Sequence, residues 1–134
     1  MTASPEAREV AAAWLDYAQG DLAAAQGGVA LPSIPGWVIG FHAQQATEKV
    51  FKGALALAGL EPPRAHDLVR LGVLLEQRGA AGPLTPDELA SLSRFAVEDR
   101  YPILDAPRVS REVAAELVPF AARAVAWLAA AMVN

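Results

Sequence analysis

Residues 36–58, GWVIGFHAQQATEKVFKGALALA, decide how this chain folds. At the roughly 100° per residue of an α-helix, Ile39, Ala43, Ala46, Val50, Ala54 and Leu57 line up as one apolar stripe. Phe51, Leu55 and Phe41 fall on a second, roughly opposite arc. Between the arcs runs a single polar band of His42, Gln45, Glu48, Lys49 and Lys52, which contains the only two lysines of the chain. A helix that is apolar on two sides is either central in its own bundle or shared with a partner. A small bundle seldom encloses one helix fully, so a homodimer is expected.

Outward from this segment, four Gly- and Pro-rich breaks divide the sequence, at residues 27–36, 59–63, 79–86 and 100–107. Between them Ala, Leu, Glu, Gln and Arg dominate. Ala alone accounts for 30 of the 134 residues, and no stretch alternates Val, Ile and Thr as a strand does. The pattern predicts helices at about 5–26, 36–58, 66–78, 86–99 and 108–132. Helix starts are written at Ser4-Pro5-Glu6 and Thr85-Pro86-Asp87-Glu88, and Gly59 and Gly79 stand where a helix-ending glycine belongs. Ala11, Leu15, Ala18, Leu22 and Ala25 make a narrow seam on the first helix, as do Val113, Leu117, Phe120, Ala124 and Leu128 on the last. The expectation is one all-α domain over residues 1–134, a four- to five-helix up-down bundle.

Composition excludes several classes. With 54% hydrophobic and 19% charged residues the chain is not intrinsically disordered. It has no Cys, so it has neither a disulfide framework nor a thiolate site. A net charge of −4 argues against non-specific duplex binding. No uninterrupted apolar run reaches a membrane span, because Arg123 breaks the one from Ala121 to Val133, and Glu6 interrupts any leader. A cytoplasmic protein without membrane association is expected. Two His and scattered carboxylates form no ligand spacing for a metal, and no motif implies a cofactor.

The polar band has a plain reading and a functional one. As a solvated edge, Glu48 and Lys52 are an i,i+4 pair in the favoured order, worth about 0.2–0.5 kcal/mol. His66-Asp67 after Pro62-Pro63 reads first as a helix start, with Asp at the positive end of the dipole. Arg100 and Tyr101 read as a helix-terminal Arg and a Tyr-Pro turn.

Residues 41–52, FHAQQATEKVFK, also resemble the signature helix of the HEPN (higher eukaryotes and prokaryotes nucleotide-binding) family. Trp14 with Asp21-Leu22, His66-Asp67-Leu68 and Arg100-Tyr101-Pro102 match in order and spacing, so the likeness covers nearly the whole chain. It implies a small, usually dimeric helical bundle. Many members resemble metal-independent ribonuclease toxins that use an Arg followed four to six residues later by a His, one to stabilise phosphorane charge and one to move a proton. Here Arg100 is followed by Tyr101, Pro102, Ile103, Leu104, Asp105 and Ala106 without a His, and Arg94 meets only Arg100.

What remains resembles the non-catalytic side of the family: a helical partner of a minimal nucleotidyltransferase, binding a nucleotide or RNA, with toxin–antitoxin-like pairing. In that reading Lys49, Lys52 and Arg100 neutralise phosphate, Tyr101 stacks on a base, and Gln45 or Glu48 reads its edge, with Arg100 beside Glu48. His42, His66 and Asp67 are secondary candidates. The alternative is a ribonuclease toxin with a degenerate site.

Overall fold

A computed structural model of the chain describes residues 3–96 and 109–133. Five α-helices and one 3₁₀ turn are found among the described residues, and no strand. Helix α1 (Pro5–Ala30) starts where the Ser4 hydroxyl accepts from the Ala7 N–H at 3.1 Å, with Pro5 in the first turn. It runs four residues past the expected end at 26, through Gly27 and Gly28. The reason lies in packing: Gly28 is buried, and a Cβ there would stand 3.0 Å from Cγ1 of Ile39. Gly28 lets α1 approach the next helix rather than ending it, while Gly27 faces open space. The carbonyls left open at its end are taken from afar by the Arg111 guanidinium, which donates to Val29 O at 3.1 Å, to Gly28 O at 3.4 Å and to Ile34 O.

Helix α2 (Gly36–Leu57) follows, close to its expected limits. Helix α3 (Leu68–Gln77) opens on Asp67, whose Oδ1 accepts from Val69 N at 3.0 Å and Arg70 N at 3.4 Å. His66 therefore lies before the helix and not in its first turn. Helix α4 (Pro86–Ser93) carries a full capping box between Thr85 and Glu88. It then tightens into the 3₁₀ turn Arg94–Ala96 and places Phe95 in the core; residues 97–99 of the expected helix lie outside the described residues. Helix α5 is Arg111–Val133. Gly59 and Gly79 end their helices with φ of 83° and 84°, as expected of helix-ending glycines.

All of the other elements pack on α2. Ile39, Ala43, Ala46, Val50 and Ala54 of the first stripe are buried, and so are Phe51 and Leu55 of the second arc. Phe51 reaches the α3 side, near Gly72 and Gly82. Among the described residues one chain thus covers most of both arcs by itself, with Phe41 and Leu57 only partly buried, so two apolar arcs on α2 do not by themselves require a dimer.

The seam on α1 is as expected, with Ala11, Ala18 and Ala25 fully buried and Leu15 and Leu22 packed against the core. On α5 the seam is shifted and wider. Val113 is exposed and Phe120 only partly buried, while Ala114, Leu117, Val118, Ala121, Ala124, Val125 and Leu128 are buried. A helix lying against both α1 and α2 needs the broader stripe of paired positions 117/118 and 124/125. By length and composition α5 is apolar enough to cross a membrane, in spite of Arg123; in this fold its apolar inner face is the bundle's core.

Candidate functional site

Glu48 and Lys52 of the polar band of α2 are not a solvated edge, while His42, Gln45 and Lys49 are partly exposed. Glu48 is 4% and Lys52 8% exposed, and Gln44 and Thr47 beside them are fully buried. Removing a carboxylate from water costs several kcal/mol unless donors replace the water. Glu48 has three such donors. Lys52 Nζ lies 3.2 Å from Oε2; Gln44 Nε2 and His66 Nδ1 lie 3.1 and 3.0 Å from Oε1. A carboxylate can only accept, so His66 carries its proton on Nδ1 in this contact and keeps Nε2 as the second ring nitrogen. His66 remains 63% exposed in its side chain, whereas the Glu48 side chain is at 6%. Gln45 Nε2 donates to Gln44 Oε1 at 2.8 Å and extends the network towards the surface. Thr47 turns its hydroxyl back to the Ala43 carbonyl at 2.9 Å and takes no part.

A second cluster repeats the chemistry on the α1 side. Asp21 accepts from His42 Nδ1 at 3.0 Å through Oδ1, and from Lys49 Nζ through Oδ2. The five-residue band therefore splits: Glu48 and Lys52 turn towards His66, while His42 and Lys49 turn to Asp21. Each cluster holds one carboxylate, one lysine and one histidine. Asp67 belongs to neither and serves as the cap of α3. Arg100 and Tyr101 lie outside the described residues.

Lys52 also opens onto a cleft of about 710 Å³ between the start of α1, the end of α2 and residues 59–64. Val10, Trp14, Leu60, Pro62 and Arg64 form its walls. The Lys52 ammonium stands 5.8 Å from the centroid of the Trp14 ring, within cation–π range. An ammonium has three N–H donors; one goes to Glu48, which leaves capacity for an acceptor in the cleft. A second hollow, of about 720 Å³, is bordered by His66, Asp67, Ser93 and Arg94. Among the described residues no three His, Asp or Glu side chains gather so as to hold a metal ion.

The HEPN domain family model matches residues 11–131, which is most of the chain. The chain belongs to the HEPN family. Its fold is also similar to that of TT1696 from Thermus thermophilus, with a TM-score of 0.74 and 23% identity over 89% of this chain and 95% of the other. ST0689, described as an archaeal HEPN homologue, aligns with a TM-score of 0.65 and 22% identity over 91% of this chain and 97% of its own. No curated protein matches the chain.

Reading this HEPN chain as a sequence missed three participants: Gln44, Asp21 and Trp14. Gln44 sits 100° beyond Gln45 towards the buried arc, where an amide looks misplaced until Glu48 is seen to need a donor. Asp21 and Trp14 were visible only as matching landmarks of the first helix. Their spacing of seven places both on the α1 face towards α2, the signal that could have joined them to Lys49 and Lys52.

Proposed function

We propose that this HEPN protein is a binding module which takes a nucleotide in the Lys52–Trp14 cleft and works beside a minimal nucleotidyltransferase in the cytoplasm. One observation carries the reading: a cation and an indole stand together on the wall of an apolar cleft. A nucleotide needs that combination, a charge for its phosphate and a π-face for its base. Arg64 on the rim adds a second cation that makes no ion pair among the described residues. Homodimerisation and a toxin–antitoxin-like pairing belong to the same proposal. They are supported by the exposed Tyr17 on α1 and by the exposed Trp37 in the first turn of α2.

Titration calorimetry with nucleotides, alone and with the product of a neighbouring nucleotidyltransferase gene, tests the proposal. Lys52→Ala removes the counter-charge of the buried Glu48 and lowers stability in either case, so affinity is read on the folded fraction: lost affinity there supports a site, whereas affinity intact there shows that Lys52 is only a structural partner of Glu48.

One observation favours the ribonuclease reading instead. His66 is exposed and oriented through Nδ1 by a buried carboxylate, the arrangement that keeps an imidazole in a fixed tautomer for proton transfer. RNA cleavage by the purified chain that disappears in His66→Ala establishes that alternative.

A further inference from the structure

The four ionisable side chains lining the Lys52–Trp14 cleft are Glu6, Glu61, Lys52 and Arg64. They sum to zero, two acids against two bases, and Lys52 has Glu48 behind it at 3.2 Å. Glu6, Glu61 and Arg64 are exposed at the mouth, and none of the three forms an ion pair among the described residues. Around Lys52 the cleft is lined by Ala7, Trp14 and Ala56, whose side chains offer no donor for additional phosphate oxygens apart from the indole N–H, and Ser4, the cap of α1, adds one hydroxyl at its border. A ligand seated here with its ring against Trp14 can satisfy Lys52 with one anionic group. Further anionic groups have to leave the cleft through its mouth, where Glu6 and Glu61 together outweigh Arg64 and net like charge opposes them.

We infer that the cleft selects a nucleotide bearing a single phosphate and discriminates against nucleoside triphosphates. This rests on the nucleotide-binding reading above and adds the ligand class. The uncharged nucleoside is disfavoured too, because its hydroxyls offer the spare Lys52 donors only neutral acceptors, weaker than the charge-assisted hydrogen bond of a phosphate. The selection is electrostatic at the rim. It weakens with salt, since exposed charges are screened beyond about 8–10 Å at physiological ionic strength.

The test is calorimetry at low ionic strength without divalent cations, using the monophosphates of the four common bases, the matching nucleosides and the matching triphosphates. The best monophosphate is expected to bind about threefold more tightly than its triphosphate, the scale set by one net exposed like-charge contact, two acids less one base. In the double variant Glu6→Gln, Glu61→Gln that ratio falls towards one through a gain in triphosphate affinity. Arg64→Ala weakens the monophosphate, and because Arg64 is exposed its loss leaves the fold intact. A native protein that binds triphosphate as tightly as monophosphate overturns the inference while leaving nucleotide binding standing. So does a double variant whose ratio is unchanged, or an Arg64→Ala variant with native affinity. Absence of binding by every nucleotide removes the proposed function and this inference with it.

Discussion

Replacing Glu48 by leucine is the sharpest probe of the buried network. Glu48→Leu keeps the volume near that of the native side chain and removes the counter-charge of Lys52, which is 8% exposed and 3.2 Å away. It also strips Gln44 Nε2 and His66 Nδ1 of their acceptor, at 3.1 and 3.0 Å. Breaking a buried pair from one side costs about 3–5 kcal/mol, because the remaining charge is left uncompensated. Lys52 borders the cleft and can lift its ammonium towards water along its stem, and His66 is already exposed. The lower end, about 3 kcal/mol, is therefore expected. For a domain of this size that corresponds to a drop of about 10 °C in melting temperature. The companion Glu48→Leu, Lys52→Met removes both charges and should return to within about 1 kcal/mol of the native protein. Urea unfolding of the two single variants and the double variant gives the coupling energy directly. A Glu48→Leu loss below about 1 kcal/mol, or a double variant that falls by the sum of the singles, refutes the assignment of a buried, mutually dependent pair.

Two helical glycines should respond to alanine with opposite signs in the same denaturation assay. At Gly20 nothing lies within 4 Å of a new Cβ, so Gly20→Ala stabilises by about 0.5–1 kcal/mol; at Gly40 a Cβ would meet the Phe95 ring at 2.4 Å, so overpacking by about 1–3 kcal/mol exceeds the helix gain. Arg111→Met, which keeps the stem and removes the guanidinium, uncaps the end of α1 and should cost about 1–3 kcal/mol, with faster amide exchange confined to the α1–α2 turn as the accompanying sign. The Thr85 backbone N–H, and then the Arg123 side chain, hold the Glu88 carboxyl below its ordinary range. Its contribution is therefore present at neutral pH and fades as pH falls through that lowered value, so Glu88→Gln is less stable than native at pH 7 and converges with it in strong acid.

Much of the fold could be read along the chain because it is local. Capping at Ser4, Asp67 and Thr85, the helix-ending Gly59 and Gly79, and the alanine seam of α1 are written within a few residues of where they act, and periodicity carries them into the structure. The two arcs of α2 were equally plain. What the residues could not say was who covers the second arc. Phe51 and Leu55 find their neighbours within the same chain, a matter of how α3, α4 and the 3₁₀ turn fold back over α2.

Other features depended entirely on distant partners. Gly27-Gly28 looks like a stop signal, but whether glycine ends a helix or lets another helix come close is decided by Ile39 and by Arg111, 83 positions away. Glu48 and Lys52 have the spacing of a surface pair, and spacing alone is blind to depth. Their burial, and the allotment of Lys52 to Trp14 but Lys49 to Asp21, are set by the rotation of α2 against α1, which no local pattern encodes. The sequence by itself determined which residues carry charge, which helices form and which face of α2 is polar, because these are short-range properties of the chain. Only the tertiary structure decided that Glu48 and Lys52 of the polar face are buried, that the face divides between two carboxylates, and that one of its lysines opens onto a cleft, because each of these depends on contacts between segments far apart in sequence.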